Sequence, residues 1–331
     1  MDATQLPFSE PPTASNAAGQ KPQVLIADDD SLSRKILAAK LGKSGYDVRL
    51  ATTGDEAWEI LVSEDSPRLV VLDWMMPGKS GVQICELIRS KVTTRYVYVV
   101  LVTGKSQQDD IITGLQAGAD DYLKKPYDFA ELEARLRTGQ RILDLEQRLI
   151  DAQNALHFQA THDGLTGLLN RNAVLDVLER ELSRTARDQT SSVGIALIDL
   201  DHFKAINDSY GHTVGDLVLC ESMVRGKEVL RPYDFLGRYG GEEFLAVLPG
   251  CSSEDAKSVA ERIRARIASQ PLVCDGRAIH ISASLGVTCS ADWPQNTEGL
   301  SLIRAADEAL YRAKSAGRNR VEAAPAAPQK K

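Results

Sequence analysis

The sequence is poor in cysteine, in aromatic residues and in long apolar runs. Its five cysteines are odd in number and form no C-x-x-C pair, so we predict reduced, packed thiols in a cytoplasmic protein. No apolar run is long enough to span a bilayer, and we expect no membrane partner. The first residues lack a basic segment followed by an apolar one, so no secretory signal is expected.

The chain also lacks an excess of positive charge. Its net charge of −7 at pH 7 argues against general nucleic-acid binding, although a local basic pocket can still hold a nucleotide. The length of 331 residues favours two domains, each able to bury a core. Both ends are rich in small residues and proline, and we predict a disordered arm at residues 1–21 and a disordered tail at residues 323–331.

Residues 22–143 alternate apolar runs with segments of helical pattern. The runs are Val24–Ala27, Leu69–Leu72, Tyr98–Val102 and Tyr122–Leu123, and the helical segments are 33–44, 54–64, 81–90 and 107–117. Because fully apolar strands that alternate with helices are buried on both faces, this order predicts a parallel sheet with helices on each side. Ligands of such folds bind at the carboxyl ends of the strands.

Polar residues gather at those predicted strand ends. They are Asp28, Asp29, Asp73, Thr103 and Lys125. A single aspartate in such a position is commonly a helix cap, but three carboxylates brought together repel one another and require a cation. Oxygen ligands of this kind favour Mg²⁺.

The arrangement resembles the receiver domain of bacterial response regulators, and the resemblance covers the whole of residues 22–143. It implies an α/β fold with a doubly wound, five-stranded parallel sheet of the flavodoxin-like type. It also implies a phosphoprotein of a two-component system, in which a cognate histidine kinase supplies the phosphoryl group that Asp73 accepts. Asp28 and Asp29 would hold Mg²⁺ together with Asp73 and the backbone carbonyl of Met75.

The same resemblance assigns roles to residues at the ends of the last two strands. Lys125 would pair with the phosphoryl oxygens, Thr103 would hydrogen-bond to them, and the Lys125–Pro126 bond would be cis. Tyr122 would be the aromatic residue that turns inward on activation. Simple packing in the core is the alternative for Tyr122, and the sequence does not separate the two interpretations.

Residues 128–160 form the predicted connector, a helical stalk that continues the last helix of the receiver. Apolar residues recur in it at alternating spacings of three and four, and they are Ile142, Leu145, Leu149, Ala152 and Leu156. This spacing predicts about two heptads of coiled coil that pair with a second chain, and Gly139 interrupts the pattern upstream. The alternative is a surface helix that packs on its own domain.

In residues 161–322, the apolar strand Val193–Ile198 runs directly into acidic residues. The two-residue period of a strand places Asp199 and Asp201 on one face and Leu200 on the other. Asp199 therefore lies at a strand end, where its carboxylate can face a partner on a neighbouring strand.

Gly240 and Gly241 separate two apolar runs and predict a tight hairpin, because glycine takes a positive φ at little steric cost. Glu242 and Glu243 follow at the lip of that turn. If the hairpin lies beside the strand that ends at Asp199, then Asp199 and Glu242 outline a two-carboxylate, metal-dependent site for phosphoryl transfer. Taken alone, a polar hairpin tip is more often simply solvated.

Asn207 and Asp216 lie between these two acidic sites in the chain. Taken alone, Asp216 is most simply the N-cap of the helix that follows. A carboxylate can also accept hydrogen bonds from both N1–H and the amino group of guanine, and an amide can complete that edge. Adenine offers no such donor pair, so these two residues favour a guanine nucleotide.

Residues 161–322 resemble a GGDEF domain, the catalytic domain of diguanylate cyclases, in its GGEEF form. The matching segments are Asp163–Arg171, Asp199–Lys204, Asn207–Asp216, Arg238–Phe244, Ser284–Val287, Ala306–Lys314 and Gly317–Arg320. The resemblance implies an α/β fold of the cyclase or palm-like type, and the joining of two GTP into cyclic di-GMP with release of two pyrophosphates. Since each domain holds one GTP, catalysis needs two domains face to face.

The resemblance also assigns the site residues. Asp199, the backbone carbonyl of Leu200 and Glu242 would hold Mg²⁺, and Glu242 would also be the general base for the ribose 3′-hydroxyl. The implied substrate contacts are Asn207 and Asp216 to guanine, His212 to the substrate, and Lys314 and Arg318 to the terminal phosphates. Glu243 matches the motif but receives no role beyond metal or structural support.

Arg231 and Asp234 lie shortly before Gly240 and match the R-x-x-D site through which the product inhibits members of the family. Arg231 would hold the phosphates and guanine of cyclic di-GMP. Arg262, on the next helix, is a candidate second contact. The alternative is a solvated loop with unrelated charges.

Together these features predict a phosphorylation-regulated, GTP-dependent diguanylate cyclase with allosteric product inhibition, which acts as a homodimer or a larger assembly. The rival class is a non-catalytic sensor that only binds cyclic di-GMP on the same fold. Such a sensor should have lost an acid or a glycine of the active site, and here all remain: Asp199, Gly240, Gly241, Glu242 and Glu243. A cyclase that uses ATP is disfavoured by the two residues that favour guanine.

Overall fold

The computed structural model describes residues 21–90, 95–104, 108–187, 191–274, 276–294 and 296–327. The chain forms two compact units that divide inside one long helix, between Gln153 and Asn154. In the described part of the chain, no helix is both long enough and apolar enough to cross a membrane. All five cysteines are free and four of them are buried, as predicted. The predicted disordered arm lies outside the described residues except for Lys21.

The first unit is built on a five-stranded parallel sheet, as predicted. Its strands are β1 (Gln23–Ala27), β2 (Asp47–Ala51), β3 (Leu69–Asp73), β4 (Tyr98–Thr103) and β5 (Asp121–Lys124), in the order β2-β1-β3-β4-β5. Its helices are α1 (Ser31–Lys43), α2 (Gly54–Leu61), α3 (Gly81–Ser90), α4 (Gln108–Gln116) and the first part of α5 (Phe129–Thr161). All four pairs of neighbouring strands are parallel.

Side chains of these strands fill two separate cores, one on each face of the sheet. Ile26 of β1 packs in one core with Leu132 of α5, whereas Leu25, the residue before it, packs in the other with Ile84 of α3. This alternation defines a doubly wound sheet. The two edge strands, β2 and β5, are only partly buried. For that reason β2 lacks a continuous apolar run, and the run in β5 is only two residues long.

The second unit holds a mixed five-stranded sheet and a separate hairpin. The sheet strands are β6 (Val193–Leu200), β7 (Phe235–Arg238), β8 (Glu243–Pro249), β11 (Ala283–Cys289) and β12 (Val321–Ala323), in the order β12-β11-β6-β8-β7, and the hairpin is β9 (Leu272–Cys274) with β10 (Arg277–Ile279). The helices are α6 (Arg171–Thr185), α7 (Phe203–Tyr210), α8 (His212–Lys227), α9 (Ser253–Ile267) and α10 (Gly299–Ser315). Leu197 and Ile198 of β6 pack in cores on opposite faces, so helices cover both sides.

The predicted hairpin forms between β7 and β8, but neither of its glycines takes a positive φ, so that reason for them was wrong. A Cβ at Gly240 would lie 2.7 Å from Oε2 of Glu243, so a larger residue there would require the Glu243 carboxylate to shift. The backbone N–H groups of Tyr239 and Gly240 both donate to the carbonyl of Glu243, at 2.8 and 3.1 Å. Backbone bonds therefore close the turn, and Gly240 lies against the Glu243 carboxylate.

The prediction of a disordered tail from Ala323 is wrong for residues 323–327. Ala323 is the last residue of β12, which pairs in parallel with β11. Beyond it, the backbone N–H of Ala324 donates to the carbonyl of Val287 at 2.7 Å, and such bonds continue to Ala327. The open edge of β11 offers backbone partners that amino-acid composition does not reveal. The last four residues lie outside the described part of the chain.

Helix α5 is continuous over 33 residues. Gly139 does not break it, because this glycine is buried where a Cβ would collide with the ring of Tyr98, so glycine allows close packing on β4. The apolar residues of the predicted seam are exposed, with 39% exposure at Ile142, 58% at Leu145 and 69% at Leu149. That exposure contradicts the alternative of a helix that packs this face on its own domain.

Candidate phosphorylation and active sites

In the first unit, the strand order reverses between β1 and β3, and both strands end in buried acids. Asp28 follows β1 and Asp73 ends β3, while the neighbouring Asp29 is exposed. One carboxylate oxygen from each of the three lies within 4.8 Å of the others. Across the described ranges, this is the one such group of three or more potential metal ligands. Ligands of doubly wound sheets bind in the crevice at this reversal.

Lys125 completes the cluster from the end of β5. Its Nζ lies 2.5 Å from Oδ2 of Asp73 and 3.0 Å from Oδ2 of Asp28. The peptide bond from Lys125 to Pro126 is cis, as predicted. The backbone N–H of Lys125 donates to the carbonyl of Thr103 at 2.7 Å, and Thr103 is itself buried at the end of β4. The structure thus brings the polar residues from four strand ends into one place.

The cluster keeps an uncompensated negative charge. Burial raises the pKa of Asp73, and its hydrogen bond with Lys125 opposes that rise only in part. When all are ionised, three carboxylates and one ammonium leave a formal charge of −2 (−3 + 1). Carboxylate oxygens are the ligands that Mg²⁺ prefers, and a charge of −2 suits a divalent ion. The donor set therefore fits the predicted cation.

Two further receiver residues lie beside the cluster without taking part in it directly. The backbone N–H of Met75 donates to Oδ1 of Asp73 at 3.3 Å, while the Met75 side chain is exposed. Tyr122 is half-buried and packs against the same apolar core as Trp74. The metal contact through the Met75 carbonyl and the switch role of Tyr122 both stay predictions.

In the second unit, β6 and β8 bring another set of acids together. The two strands are antiparallel neighbours, and their register pairs Asp199 with Glu243. The backbone N–H of Leu200 donates to the carbonyl of Glu242 at 3.4 Å. The end of β6 therefore lies beside the lip of the hairpin, which is the juxtaposition expected from the sequence.

Lys314 of α10 reaches the same edge of the sheet, where its Nζ lies 2.7 Å from Oδ2 of Asp199. Burial raises the pKa of Asp199, although the Lys314 contact and the charge of Arg318 oppose the rise. Burial, and after it the charge of Asp199, also raises the pKa of Glu242 and of Glu243. Three carboxylates beside one ammonium leave an excess of negative charge at this edge when all are ionised. Such carboxylates fit Mg²⁺.

Asn207 and Asp216 lie on the successive helices α7 and α8. Gly215 lets the two helices approach, because a Cβ at that position would collide with Oδ1 of Asn207. Asp216 is exposed on α8 directly after Gly215. The helix begins at His212, which is also exposed, and its N-cap is Gly211. The alternative role of Asp216 as the N-cap is therefore excluded.

Arg238 is a residue whose importance the sequence did not reveal. Its Nη1 lies 3.1 and 3.2 Å from the two carboxylate oxygens of Asp163, and its Nε and Nη2 donate to the carbonyl of Gly241. Asp163 also accepts hydrogen bonds from the backbone N–H and hydroxyl of Thr166. The first turn of the second unit is thereby tied to the hairpin. Asp163 and Arg238 lie 75 residues apart, so no local pattern marks the pair.

We expect Asp163→Asn to lower the free energy of unfolding at pH 7 by about 1–3 kcal/mol, because an amide does not pair with the charge of Arg238. Burial alone would raise the pKa of Asp163, but the hydrogen bonds from Thr166 and the charge of Arg238 outweigh it and hold the pKa below 3.8. A lowered pKa stabilises the fold above the unfolded value, and the contribution is lost as the pH falls through the folded value.

Urea unfolding checks this prediction. The free energies of unfolding of wild type and variant should differ at pH 7, and the difference should shrink as the pH falls below about 4. A difference that stays constant over that range would contradict the ionic role of Asp163.

The predicted inhibitory site is a turn with one unpaired acceptor. The backbone N–H of Arg231 donates to Oδ2 of Asp234 at 2.8 Å, and the Arg231 side chain contacts the hydroxyl of Tyr233 at 3.2 Å. Oδ1 of Asp234 is buried and lacks a hydrogen-bond partner among the described residues. Arg262 of α9 donates to the carbonyl of Val229, two residues before Arg231. The three predicted charges thus lie around one short segment, and their role stays a prediction.

The first unit carries an acidic cluster with one lysine on a doubly wound sheet, and the second carries an acidic site on a mixed sheet. This combination indicates a two-domain signalling protein with a receiver and a nucleotide-cyclase fold. The family model for the response regulator receiver domain matches residues 24–137, and that for the diguanylate cyclase GGDEF domain matches residues 160–320. The chain belongs to the GGDEF diguanylate cyclase family and has a response regulator receiver domain.

Named relatives support this assignment. Response regulator PleD of Caulobacter vibrioides is 33% identical over 304 residues, which are 90% of this chain and 65% of PleD. Diguanylate cyclase DgcP of Pseudomonas aeruginosa is 38% identical over 221 residues, which are 65% of this chain and 32% of DgcP. The chain therefore spans less than two thirds of either relative.

A solved structure is also similar to part of this chain. It contains the coiled coil and GGDEF domain of DgcB from Caulobacter crescentus in complex with c-di-GMP. The TM-score is 0.52 and the identity 34%, over 58% of this chain and 99% of the DgcB chain.

Proposed function

We propose that the protein is a phosphorylation-regulated diguanylate cyclase, which converts two GTP into cyclic di-GMP and two pyrophosphates. The observation that carries the proposal is the convergence of Asp199, Glu242 and Lys314 on one edge of the second sheet, in a chain of the GGDEF family. The cyclic di-GMP held by the DgcB structure supports the choice of product.

The residues at this edge have different roles in the proposed phosphoryl transfer. Asp199, the carbonyl of Leu200 and Glu242 would hold Mg²⁺, which when bound neutralises charge on the phosphates. Glu242 accepts the proton of the ribose 3′-hydroxyl as the general base. Lys314 and Arg318 bind the terminal phosphates.

The proposed reaction proceeds in two equivalent steps. The 3′-oxygen of one GTP forms a bond to the α-phosphorus of the other, and the bond from that phosphorus to the bridging oxygen breaks, which releases pyrophosphate. The same exchange with the roles reversed closes the ring and releases the second pyrophosphate. Because the second unit of each chain binds one GTP, the second units of two chains must face each other.

Guanine would be held by Asn207 and Asp216, which Gly215 allows to lie close together on α7 and α8. Asp216 is exposed and free to accept from N1–H and the amino group of the base. His212, at the start of α8, is the further candidate contact. This donor–acceptor pattern favours GTP over ATP.

Control would come from the first unit. Asp73 is the proposed phosphoacceptor for a histidine kinase, with Mg²⁺ held by Asp28 and Asp29 and charge balanced by Lys125. The exposed seam on α5 supports pairing with a second copy of the chain, because its three- and four-residue spacing is that of a coiled coil. Phosphorylation would favour the homodimer, or a larger assembly, and raise the effective concentration of one GTP-loaded unit against the other.

We expect Arg231→Ala to raise the cyclic di-GMP concentration for half-inhibition by about 10- to 100-fold. The buried, unpaired Oδ1 of Asp234 suits an N–H of a guanine ring, and the adjacent Arg231 suits the phosphates. Initial rates measured against added cyclic di-GMP test this. The matched control is Arg304→Ala, an exposed arginine near the start of α10. Equal inhibition of Arg231→Ala and the control would contradict the proposed inhibitory site.

Product formation tests the proposed function itself. The protein is incubated with Mg²⁺ and either GTP or ATP, with a phosphoryl mimic present, and the products are separated by chromatography. We expect cyclic di-GMP from GTP and no cyclic dinucleotide from ATP. Binding of cyclic di-GMP without any turnover of GTP would instead assign the protein to the sensor class.

A further inference from the structure

Asp201 is a buried acid that the proposed mechanism does not use. It follows β6 and is 5% exposed. Its Oδ1 accepts from the hydroxyl of Ser284 at 2.7 Å, and its Oδ2 accepts from the hydroxyl of Ser282 at 2.8 Å and the backbone N–H of Asn319 at 3.0 Å. The two serines belong to the β11 segment and Asn319 to the loop after α10, so one carboxylate joins three parts of the unit.

The contact with Asn319 reaches the loop that contains Arg318. Arg318 and Asn319 both take left-handed φ values, 63° and 46°. Residues other than glycine keep this conformation only where their surroundings hold them in it. Asp201 holds the backbone of Asn319, and Nη1 of Arg264 donates to its side-chain Oδ1 at 2.7 Å. The loop is therefore held at one residue from two sides.

The other end of this linkage is the strand that ends in the proposed metal ligand. Asp201 lies two residues after Asp199, and its backbone N–H donates to the carbonyl of Ser282 at 2.9 Å. Ser284, the partner of Oδ1, is the register neighbour of Asp199 on β11. The carboxylate is thus fixed relative to Asp199 before it reaches across to the loop.

We propose that Asp201 is a positioning residue, which holds the Arg318 loop against the end of β6 so that Arg318 meets the terminal phosphates of GTP. The inference rests on the proposed function, in which Lys314 and Arg318 bind those phosphates. Because guanine is assigned to α7 and α8, loss of the Asp201 contact should weaken recognition of the phosphates and spare recognition of the base.

The test compares two nucleotides by calorimetry in Mg²⁺ buffer, using the full chain. One is 3′-deoxy-GTP, which lacks the attacking hydroxyl, and the other is GMP, which lacks the terminal phosphates. We expect Asp201→Ala to weaken binding of 3′-deoxy-GTP by about 10- to 100-fold and binding of GMP by less than about 2-fold. A merely structural defect would weaken both nucleotides alike.

Two matched variants sharpen the comparison. In Asp201→Asn, the amide oxygen can still accept from the N–H of Asn319 while the amide nitrogen donates to Ser284, whose hydroxyl can also accept. That variant should regain most of the preference for the triphosphate. Ser282→Ala removes a different donor from the same oxygen, leaves the contact with Asn319 in place, and should keep the wild-type preference.

The outcomes separate this inference from the function on which it rests. Wild-type preference for 3′-deoxy-GTP that survives in Asp201→Ala, or an equal loss for both nucleotides, overturns the positioning role alone. If the wild type itself shows no preference for 3′-deoxy-GTP over GMP, the proposed phosphate contacts fail and the inference fails with them. Should Asp201→Ala not fold, Asp201→Ser takes its place, since it keeps a polar group for the two serines but is shorter.

Discussion

Glu242→Gln is expected to reduce the rate of cyclic di-GMP formation by about a thousand-fold, a mid-range value for the loss of a general base. The change keeps the size of the side chain and removes both its ability to accept the 3′-hydroxyl proton and its charge toward Mg²⁺. Contacts to guanine and to the terminal phosphates remain, so the affinity for GTP should fall far less than the rate. Initial rates and equilibrium binding of 3′-deoxy-GTP measure the two effects separately.

The matched control is Glu254→Gln, which makes the same chemical change at an exposed position in the first turn of α9. Its rate should stay within about 2-fold of wild type, in line with a surface substitution of little energetic consequence. If Glu242→Gln kept more than a tenth of the wild-type rate, the base would lie elsewhere. Glu243 would then be the next candidate, because it is the register partner of Asp199.

Asp73→Asn is expected to abolish activation by a phosphoryl mimic. In the wild type, beryllofluoride should raise the cyclase rate by about a hundred-fold at low micromolar protein, because pairing turns the meeting of two GTP-loaded units into an intramolecular event. Asparagine at the end of β3 keeps the shape of the side chain but offers no carboxylate oxygen pair for the mimic and Mg²⁺. The variant should stay at its basal rate with and without beryllofluoride.

The cyclase rate and, by light scattering, the oligomeric state are measured on the same samples. Asp65→Asn, an exposed position after α2, is the control and should respond as the wild type does. Activation that survived in Asp73→Asn would place the phosphoacceptor elsewhere. A rise in rate without a change in assembly would refute control by pairing while leaving Asp73 as the acceptor.

The first unit could be predicted well because most of its strands are buried on both faces. Such strands carry unbroken apolar runs, and the polar residues that interrupt them fall at the carboxyl ends, where Asp28 and Asp73 meet. The edge strand β2 is half-exposed and alternates polar with apolar residues, so no run marked it. Similarly, β12 at the other sheet's edge is three residues long and ends where the Ala- and Pro-rich tail begins, and its stability comes from pairing with β11.

The second site was predictable where its residues share short motifs and not where they meet across the fold. Asp199 and Glu242 each lie in a contiguous segment of characteristic residues. The hydrogen-bond partners of Asp201 lie 81, 83 and 118 residues from it in the sequence. Composition and residue spacing do not reveal contacts over such separations. Gly240 shows a related limit, because the hairpin was predicted correctly, whereas the backbone bonds that close it and the contact of Gly240 with the Glu243 carboxylate required the packed structure.

The most direct measurement is the rate of cyclic di-GMP formation per chain, followed over a range of protein concentrations with GTP and Mg²⁺, with and without beryllofluoride. We predict that the rate per chain rises with concentration, and that beryllofluoride moves the rise to lower concentration in step with the fraction of dimer. Absence of cyclic di-GMP at every concentration, with the mimic present, would contradict the assignment of a cyclase.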